Sequence, residues 1–91
     1  MREKEFRDYC MKRKLAEQEI ELAISAVSEF EGHLRARGRA FESATVEDVK
    51  NYVSLLMVHG KNSPDRLSAL ARYSYVVKKN DFYVYFAGIL G

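Results

Sequence analysis

Residues 63–79 have the sequence SPDRLSALARYSYVVKK, and the fold prediction starts from this stretch. Ser63 is a typical N-cap residue. Pro64, the only proline of the chain, suits the first helical position because it lacks the N–H that would be left unpaired there. Asp65 near the start and two lysines near the end match the helix dipole. The stretch therefore predicts a well-delimited helix.

This helix is predicted to have two contrasting faces. Apolar residues recur at helical spacing on one side, whereas the other side is basic, hydroxyl-bearing and aromatic. We expect the first side to face the core and the second to carry any function. The core side consists of Leu67, Leu70, Ala71, Ser74 and Val77, with Tyr73 at its edge, and the other side of Ser68, Arg72, Tyr75 and Lys79.

Hydrophobic periodicity predicts three helices before this one, over residues 2–13, 16–37 and 46–59. Gly38 and Gly60 stop the second and third, and Thr45 with Asp48 resembles a capping box at the start of the third. The residues predicted to face inward are Phe6, Tyr9 and Cys10 in the first helix; Ile20, Ala23, Ile24, Val27, Phe30 and Leu34 in the second; and Val46, Val49, Tyr52, Val53, Leu56 and Met57 in the third.

The last segment, residues 81–91, is ambiguous. Its run FYVYF has high strand propensity, but no other segment offers a strand to pair with it. A final helix capped by Asp81 is the more economical prediction. The fold class is thus all-α: a small orthogonal bundle of four main helices plus a short C-terminal helix, forming a single domain over residues 1–91. Whether that domain is excised from a longer chain stays open.

Composition narrows the class of protein. The chain has 91 residues, 47% hydrophobic and 31% charged, a profile typical of a soluble globular domain. Its single cysteine, Cys10, forms no internal disulfide and weakly indicates a cytoplasmic location. The charged N-terminus does not resemble a signal peptide, and no window has the length of a membrane span. We therefore predict a cytoplasmic protein with no membrane association.

The motifs of catalysis and of metal binding are missing from the sequence. His33 and His59 lie on separate predicted helices, and neither has a ligand-spaced partner. No glycine-rich phosphate loop, nucleophile elbow or Cys–His arrangement is present. We therefore predict no enzymatic activity, no cofactor, no metal and no small-molecule substrate.

Charge is sorted by segment. The net charge is +2, too small by itself to indicate nucleic acid. Residues 1–14 nevertheless carry six basic and three acidic side chains, and residues 61–81 carry five basic and two acidic ones. Residues 15–31 carry five glutamates and no base. Two basic segments are thus separated by an acidic one.

With the helices in order, the chain resembles the N-terminal core-binding domain of tyrosine recombinases and phage-type integrases, a SAM-like helical bundle. The likeness covers nearly the whole chain, and its specificity is moderate because much of it is core spacing that any helical bundle needs. The matching positions are Phe6 and Tyr9; Lys12-Arg13-Lys14-Leu15; Ile20, Phe30, Leu34 and Gly38; Thr45-Val46-Glu47-Asp48-Val49; Tyr52-Val53, Leu56 and Gly60; and Ser63, Arg66-Leu67-Ser68-Ala69-Leu70 and Tyr73.

The chain departs from the family pattern in three respects. Ala16 and Glu19 stand where the family has hydroxyl residues, and a glutamate repels phosphate. The usual Asn-Pro exit toward the catalytic domain is replaced by the sequence DFY at residues 81–83. The catalytic Arg, His-x-x-Arg and Tyr set is absent from these residues. The resemblance therefore implies a DNA-binding module that does not itself catalyse recombination.

The resemblance also implies which residues face duplex DNA. Lysine and arginine would neutralise phosphates, while hydroxyl and amide groups at a helix start would hydrogen-bond them. Solvated helix ends are the plainer interpretation of the same residues and stay open. The predicted DNA-binding residues are Lys12, Arg13, Lys14, Lys61, Asn62, Ser63, Arg66, Arg72 and Lys79.

The second hypothesis is a helical interaction or oligomerisation module that keeps the fold without binding DNA. It rests on the acidic segment 15–31 and on the apolar segment 82–90. We expect that apolar segment either to form a symmetric homodimer or to fold back into the bundle. The residues predicted for self-association are Phe82, Val84, Phe86, Ile89 and Leu90.

Overall fold

A computed structural model describes residues 1–91. The chain forms five α-helices and no strand, and they run α1 (Glu3–Lys12), α2 (Glu17–Ala36), α3 (Val46–Val58), α4 (Pro64–Val76) and α5 (Asn80–Leu90). The all-α prediction is confirmed. Helix α4 packs against α1, α2 and α5, and α3 packs against α2 and α5. Helix α4 is therefore the central packing element.

Local sequence signals place the helix starts. The Ser63 hydroxyl accepts a hydrogen bond from the Arg66 N–H at 3.2 Å, and Pro64 occupies the first position of α4. At the start of α3 the Asp48 carboxylate accepts from the Thr45 N–H at 2.8 Å, and the Thr45 hydroxyl accepts from the Asp48 N–H at 3.3 Å. Both N-terminal predictions are confirmed. The final helix begins differently, because its N-cap is Lys79 and Asp81 lies inside the first turn.

The core centres on Phe30 of α2, which is fully buried. Its ring lies 4.8 Å from the Tyr52 ring and 6.3 Å from the rings of Phe82 and Phe86, measured between centroids. Aromatic pairs at such separations add to the free energy gained by burial. The C-terminal helix is thus part of the same core as α2 and α3.

Three details of the core differ from the sequence prediction. Phe41 and Ala44, in the loop before α3, are buried, and the Phe41 ring packs edge-on against Phe30 and Tyr73. Met57 is 60% exposed rather than inward, because α3 contacts only two helices and buries a narrower stripe than its apolar pattern suggested. Tyr9 is only half-buried.

Candidate nucleic-acid interface

A groove runs between the C-terminal ends of α1 and α4 and measures about 540 Å³. The packing of α1 against α4 brings Lys12 next to Tyr75 and Lys78, although these residues are far apart in sequence. Basic and aromatic side chains are thus adjacent here, together with two carboxylates. The residues that line this α1–α4 groove are Glu5, Asp8, Tyr9, Lys12, Tyr75, Val76, Lys78 and Asn80.

Three tyrosines from three helices lie side by side here: Tyr9 and Tyr75 line the groove, and Tyr83 is the next ring beyond Tyr75. The ring centroids of Tyr9 and Tyr75 are 5.9 Å apart, and those of Tyr75 and Tyr83 are 5.5 Å apart. Tyr75 is 52% exposed and Tyr83 is 38% exposed. The Arg13 guanidinium carbon lies 5.0 Å from the centroid of the Tyr9 ring, which is a cation–π distance. We call Tyr9, Tyr75 and Tyr83 the tyrosine row.

Two lysines have an unusual backbone conformation: Lys78, which lines this groove, and Lys14, which follows α1. Each of the first four helices ends with the same pair of hydrogen bonds, in which the residue in the left-handed conformation and the residue after it donate to the last-turn carbonyls. That position is occupied by Gly38 (φ 75°) after α2 and Gly60 (φ 67°) after α3, but by Lys14 (φ 60°) after α1 and Lys78 (φ 63°) after α4. The left-handed conformation costs an L-residue roughly 1–2 kcal/mol. Two helix ends therefore carry a lysine where glycine would be unstrained.

A second surface feature is a cleft of about 310 Å³ between α2 and α4. Arg66 and Arg72 lie in it with Glu19 and Asp65, so its charge is mixed. The Arg66 guanidinium is paired with the Glu29 carboxylate, and this hydrogen bond raises the pKa of Arg66. The α2–α4 cleft is lined by Glu19, Leu22, Ala23, Ala26, Ser63, Asp65, Arg66, Ser68 and Arg72.

The predicted DNA-binding cations differ in how they are held. Arg66 is the only one of the seven with a carboxylate within 4 Å. Lys79 is held in another way: its Nζ donates to the Glu42 carbonyl at 3.0 Å and lies 4.8 Å from the Phe82 ring centroid. Arg13 lies over the Tyr9 ring, and the cations with no such contact are Lys12, Lys14, Lys61 and Arg72.

Five of the predicted DNA-binding residues fall into two surface regions. Lys12 lines the α1–α4 groove and Arg13 contacts its wall at Tyr9, whereas Ser63, Arg66 and Arg72 line the α2–α4 cleft. Lys61 and Asn62 are exposed in the loop that leads into α4. Sequence reasoning assigned Lys79 and missed Lys78 as a lining residue. The signal that would have found it is the end of α4 at Val76, because Lys78, two residues later, then lies outside the helix.

Glu19, which stands where the recombinase pattern has a hydroxyl residue, has a structural role in this chain. Its Oε1 accepts a hydrogen bond from the Ala16 N–H at 3.0 Å, which is half of a capping box at the start of α2. Ala16 has no hydroxyl to complete the box. Glu19 therefore stabilises the start of α2, and its carboxylate also contributes negative charge to the α2–α4 cleft.

Of the five residues predicted for self-association, two are buried in the core and three are exposed. Phe82 and Phe86 are fully buried within the chain's own core, so their rings are not available to a partner. The reason is the amphipathic spacing of α5, which turns these two residues toward Phe30. Val84 is 68% exposed, Ile89 42% and Leu90 38%.

Buried titratable groups elsewhere have structural explanations. Burial raises the pKa of the Cys10 thiol, a direction that disfavours the reactive thiolate. Burial also lowers the pKa of His33, whose Nε2 has no hydrogen-bond partner and whose ring lies 4.9 Å from that of Tyr52. No three His, Cys, Asp or Glu side chains gather closely enough to hold a metal ion.

Comparison of the chain with family models, curated proteins and solved structures finds no match. The likeness to recombinase core-binding domains therefore rests on the residues named above. None of the five helices combines the length and apolar character that crossing a membrane requires.

Proposed function

We propose that this domain binds duplex DNA through the basic end of α1 and the cations on the exposed side of α4, without catalysing a reaction itself. The observation that carries the proposal is the pair of lysines in the left-handed conformation, Lys14 and Lys78. Where the backbone at a residue is strained and another residue type would remove the strain, the side chain that is present is a candidate for a function. Here Lys78 adds a positive charge to the lining of the α1–α4 groove, and Lys14 adds one to the basic turn that follows α1.

The unpaired charge of these residues supports the proposal. Lys12, Arg13, Lys14 and Lys78 have no carboxylate within 4 Å, so their charge is available to phosphates. Neutralising phosphates releases counterions, and this release supplies most of the free energy of non-specific DNA binding. The resemblance to the SAM-like core-binding domain of tyrosine recombinases agrees with the placement on α4, since it implies that the second and fourth helices face the duplex.

The proposal is tested by titrating a fluorescently labelled duplex with the full chain at several salt concentrations. We expect sequence-independent binding with a dissociation constant around 10⁻⁴–10⁻⁶ M and a steep loss of affinity with salt. The double variant Lys14→Gly, Lys78→Gly should weaken binding and reduce the slope of log K against log salt by about two, because each lost phosphate contact removes about one. It should do so without loss of stability, since glycine relieves the backbone strain.

The matched control removes two charges elsewhere. Lys4 and Lys50 are exposed and unpaired and lie outside both clefts, so Lys4→Ala with Lys50→Ala lowers the net charge equally. If the two double variants weaken binding to the same extent, only total charge matters and the proposed surface is wrong. If the unmodified chain shows no binding at high concentration in low salt, the DNA proposal is wrong altogether.

A second candidate function is protein interaction, and one observation favours it. The α2–α4 cleft contains the carboxylates of Glu19 and Asp65, and the Glu29 carboxylate neutralises Arg66 beside it. Acidic groups thus stand beside Arg66 and Arg72, two of the predicted DNA-binding cations. A partner protein with mixed charge would fit such a cleft better than a polyanion. The duplex titration described above separates the two functions.

A further inference from the structure

We propose that the tyrosine row binds unpaired bases, so that the domain holds a single-stranded nucleic acid as well as a duplex. This inference rests on the proposed function in assuming a nucleic-acid partner, and it adds a second binding mode to it. The argument starts from the arrangement of Tyr9, Tyr75 and Tyr83, which α1, α4 and α5 each supply.

The row is unlike the other tyrosines of the chain. Tyr52 and Tyr73 are buried, and their rings pack against the core phenylalanines. Tyr85 is partly buried and packs against Phe86. Tyr73 also accepts a hydrogen bond from the Arg2 N–H at 3.0 Å, so its position is explained by packing and polar satisfaction. Tyr75 and Tyr83 instead leave 52% and 38% of their surface in water. Exposed neighbouring rings offer flat apolar area that the fold itself does not use.

The surroundings of the row supply charge for a nucleic-acid backbone. Arg13 lies against the Tyr9 ring, while Lys12 and Lys78 line the same groove as Tyr75. Proteins that bind single strands combine aromatic rings, on which bases stack, with such cations. Glu5 and Asp8 also line the groove and repel phosphate. A single strand tolerates this mixture better than a duplex, because its flexible backbone can bend away from the carboxylates.

The geometry of the rings selects unpaired bases. In a duplex the faces of the bases are stacked on one another, and a protein reaches only their edges in the grooves. An exposed tyrosine face can therefore stack only on a base that is unpaired, at a strand end, a bubble or a single-stranded segment. The duplex would use the same cations without using the rings.

The test compares two labelled probes on the same protein: a 12-nucleotide deoxythymidine oligomer and a 12-base-pair duplex, both in low salt. Tyr75→Leu removes the aromatic face but keeps apolar bulk at a half-exposed position, and Tyr75→Phe keeps the face. We expect Tyr75→Leu to weaken binding of the oligomer by about fivefold or more, the effect typical of losing one stacked base. Binding of the duplex should stay within about twofold, and Tyr75→Phe should leave both unchanged. Circular dichroism establishes that both variants are folded.

The outcomes separate this inference from the duplex proposal. Oligomer binding that Tyr75→Leu weakens supports the tyrosine row, even if the duplex does not bind and the duplex proposal fails. Duplex binding without oligomer binding overturns the inference and leaves the duplex proposal standing. Equal weakening of both probes by Tyr75→Leu also overturns it, because stacking on unpaired bases cannot affect an intact duplex. A second readout is quenching of tyrosine emission by the unlabelled oligomer, which Tyr75→Leu should reduce.

Discussion

Replacing Phe86 by Ala should destabilise the domain strongly, whereas replacing Val84 by Ala should not. The two residues lie two positions apart on α5, yet Phe86 is fully buried and Val84 is 68% exposed. The Phe86 ring lies 6.3 Å from the ring of Phe30 at the centre of the core. Truncating a buried phenylalanine to alanine typically costs about 3–5 kcal/mol, because apolar burial is lost and a cavity is left. Exposed substitutions usually stay within about 0.5 kcal/mol.

The loss expected for Phe86→Ala is a large part of the domain's free energy of unfolding. A domain of this size has a free energy of unfolding of about 5–14 kcal/mol at the usual value per residue. At roughly 4–8 °C per kcal/mol, Phe86→Ala should lower the melting temperature by more than about 10 °C. Urea denaturation followed by circular dichroism at fixed protein concentration measures both variants, with the slope m expected to stay unchanged. Similar small losses for the two variants would refute the placement of α5 in the core.

Three other predictions follow from local contacts. Thr45→Ala should lower the free energy of unfolding by about 1 kcal/mol in urea denaturation, because the cap to the Asp48 N–H is lost, and a neutral result would mean that α3 does not depend on it. Burial lowers the pKa of His33, so the folded state binds fewer protons than the unfolded state; stability should therefore fall as the pH drops below about 6.5, and His33→Gln should remove that fall between pH 7.5 and 5.5. If the exposed side of α5 forms a homodimer, light scattering across a concentration series should show a mass that rises with concentration, and Val84→Asp should return it to the monomer mass without destabilising the fold.

The helices were predictable because their signals are local. The N-cap of α4 at Ser63, the capping box at Thr45 and the apolar stripe around Phe30 each depend on residues within a few positions of one another. Helical periodicity also distinguishes buried Phe82 and Phe86 from exposed Val84. The prediction of self-association instead treated the apolar segment as a whole, and so assigned to it more exposed apolar surface than α5 has. The burial of Phe41 was not predictable from its loop, because it depends on rings contributed by distant helices.

The candidate interface was predictable only in part, because side-chain pairing is non-local. The basic turn at Lys12–Lys14 was correctly placed at a helix end, but pairing of Arg66 with Glu29 joins residues 37 positions apart. The contact of Lys79 with the Glu42 carbonyl spans the same separation. No spacing rule within a helix reports such pairs, so sequence reasoning counted as free two cations that the fold restrains.

The lysines at the two helix ends connect the stability of the fold to its proposed function. Lys14 and Lys78 adopt a backbone conformation for which Gly38 and Gly60 are the unstrained solution in the same chain. If these lysines had no role in binding, glycine at both positions would leave the affinity for nucleic acid unchanged. If they serve binding, glycine should leave the free energy of unfolding equal or higher by up to about 1 kcal/mol while affinity for nucleic acid falls. We therefore expect the glycine variant to be as stable or more stable but to bind nucleic acid more weakly. The backbone of the two lysines carries the strain, whereas their side-chain charge serves binding. A parallel loss of both would instead mean that the lysine side chains stabilise the helix ends, and the argument from strain would fail.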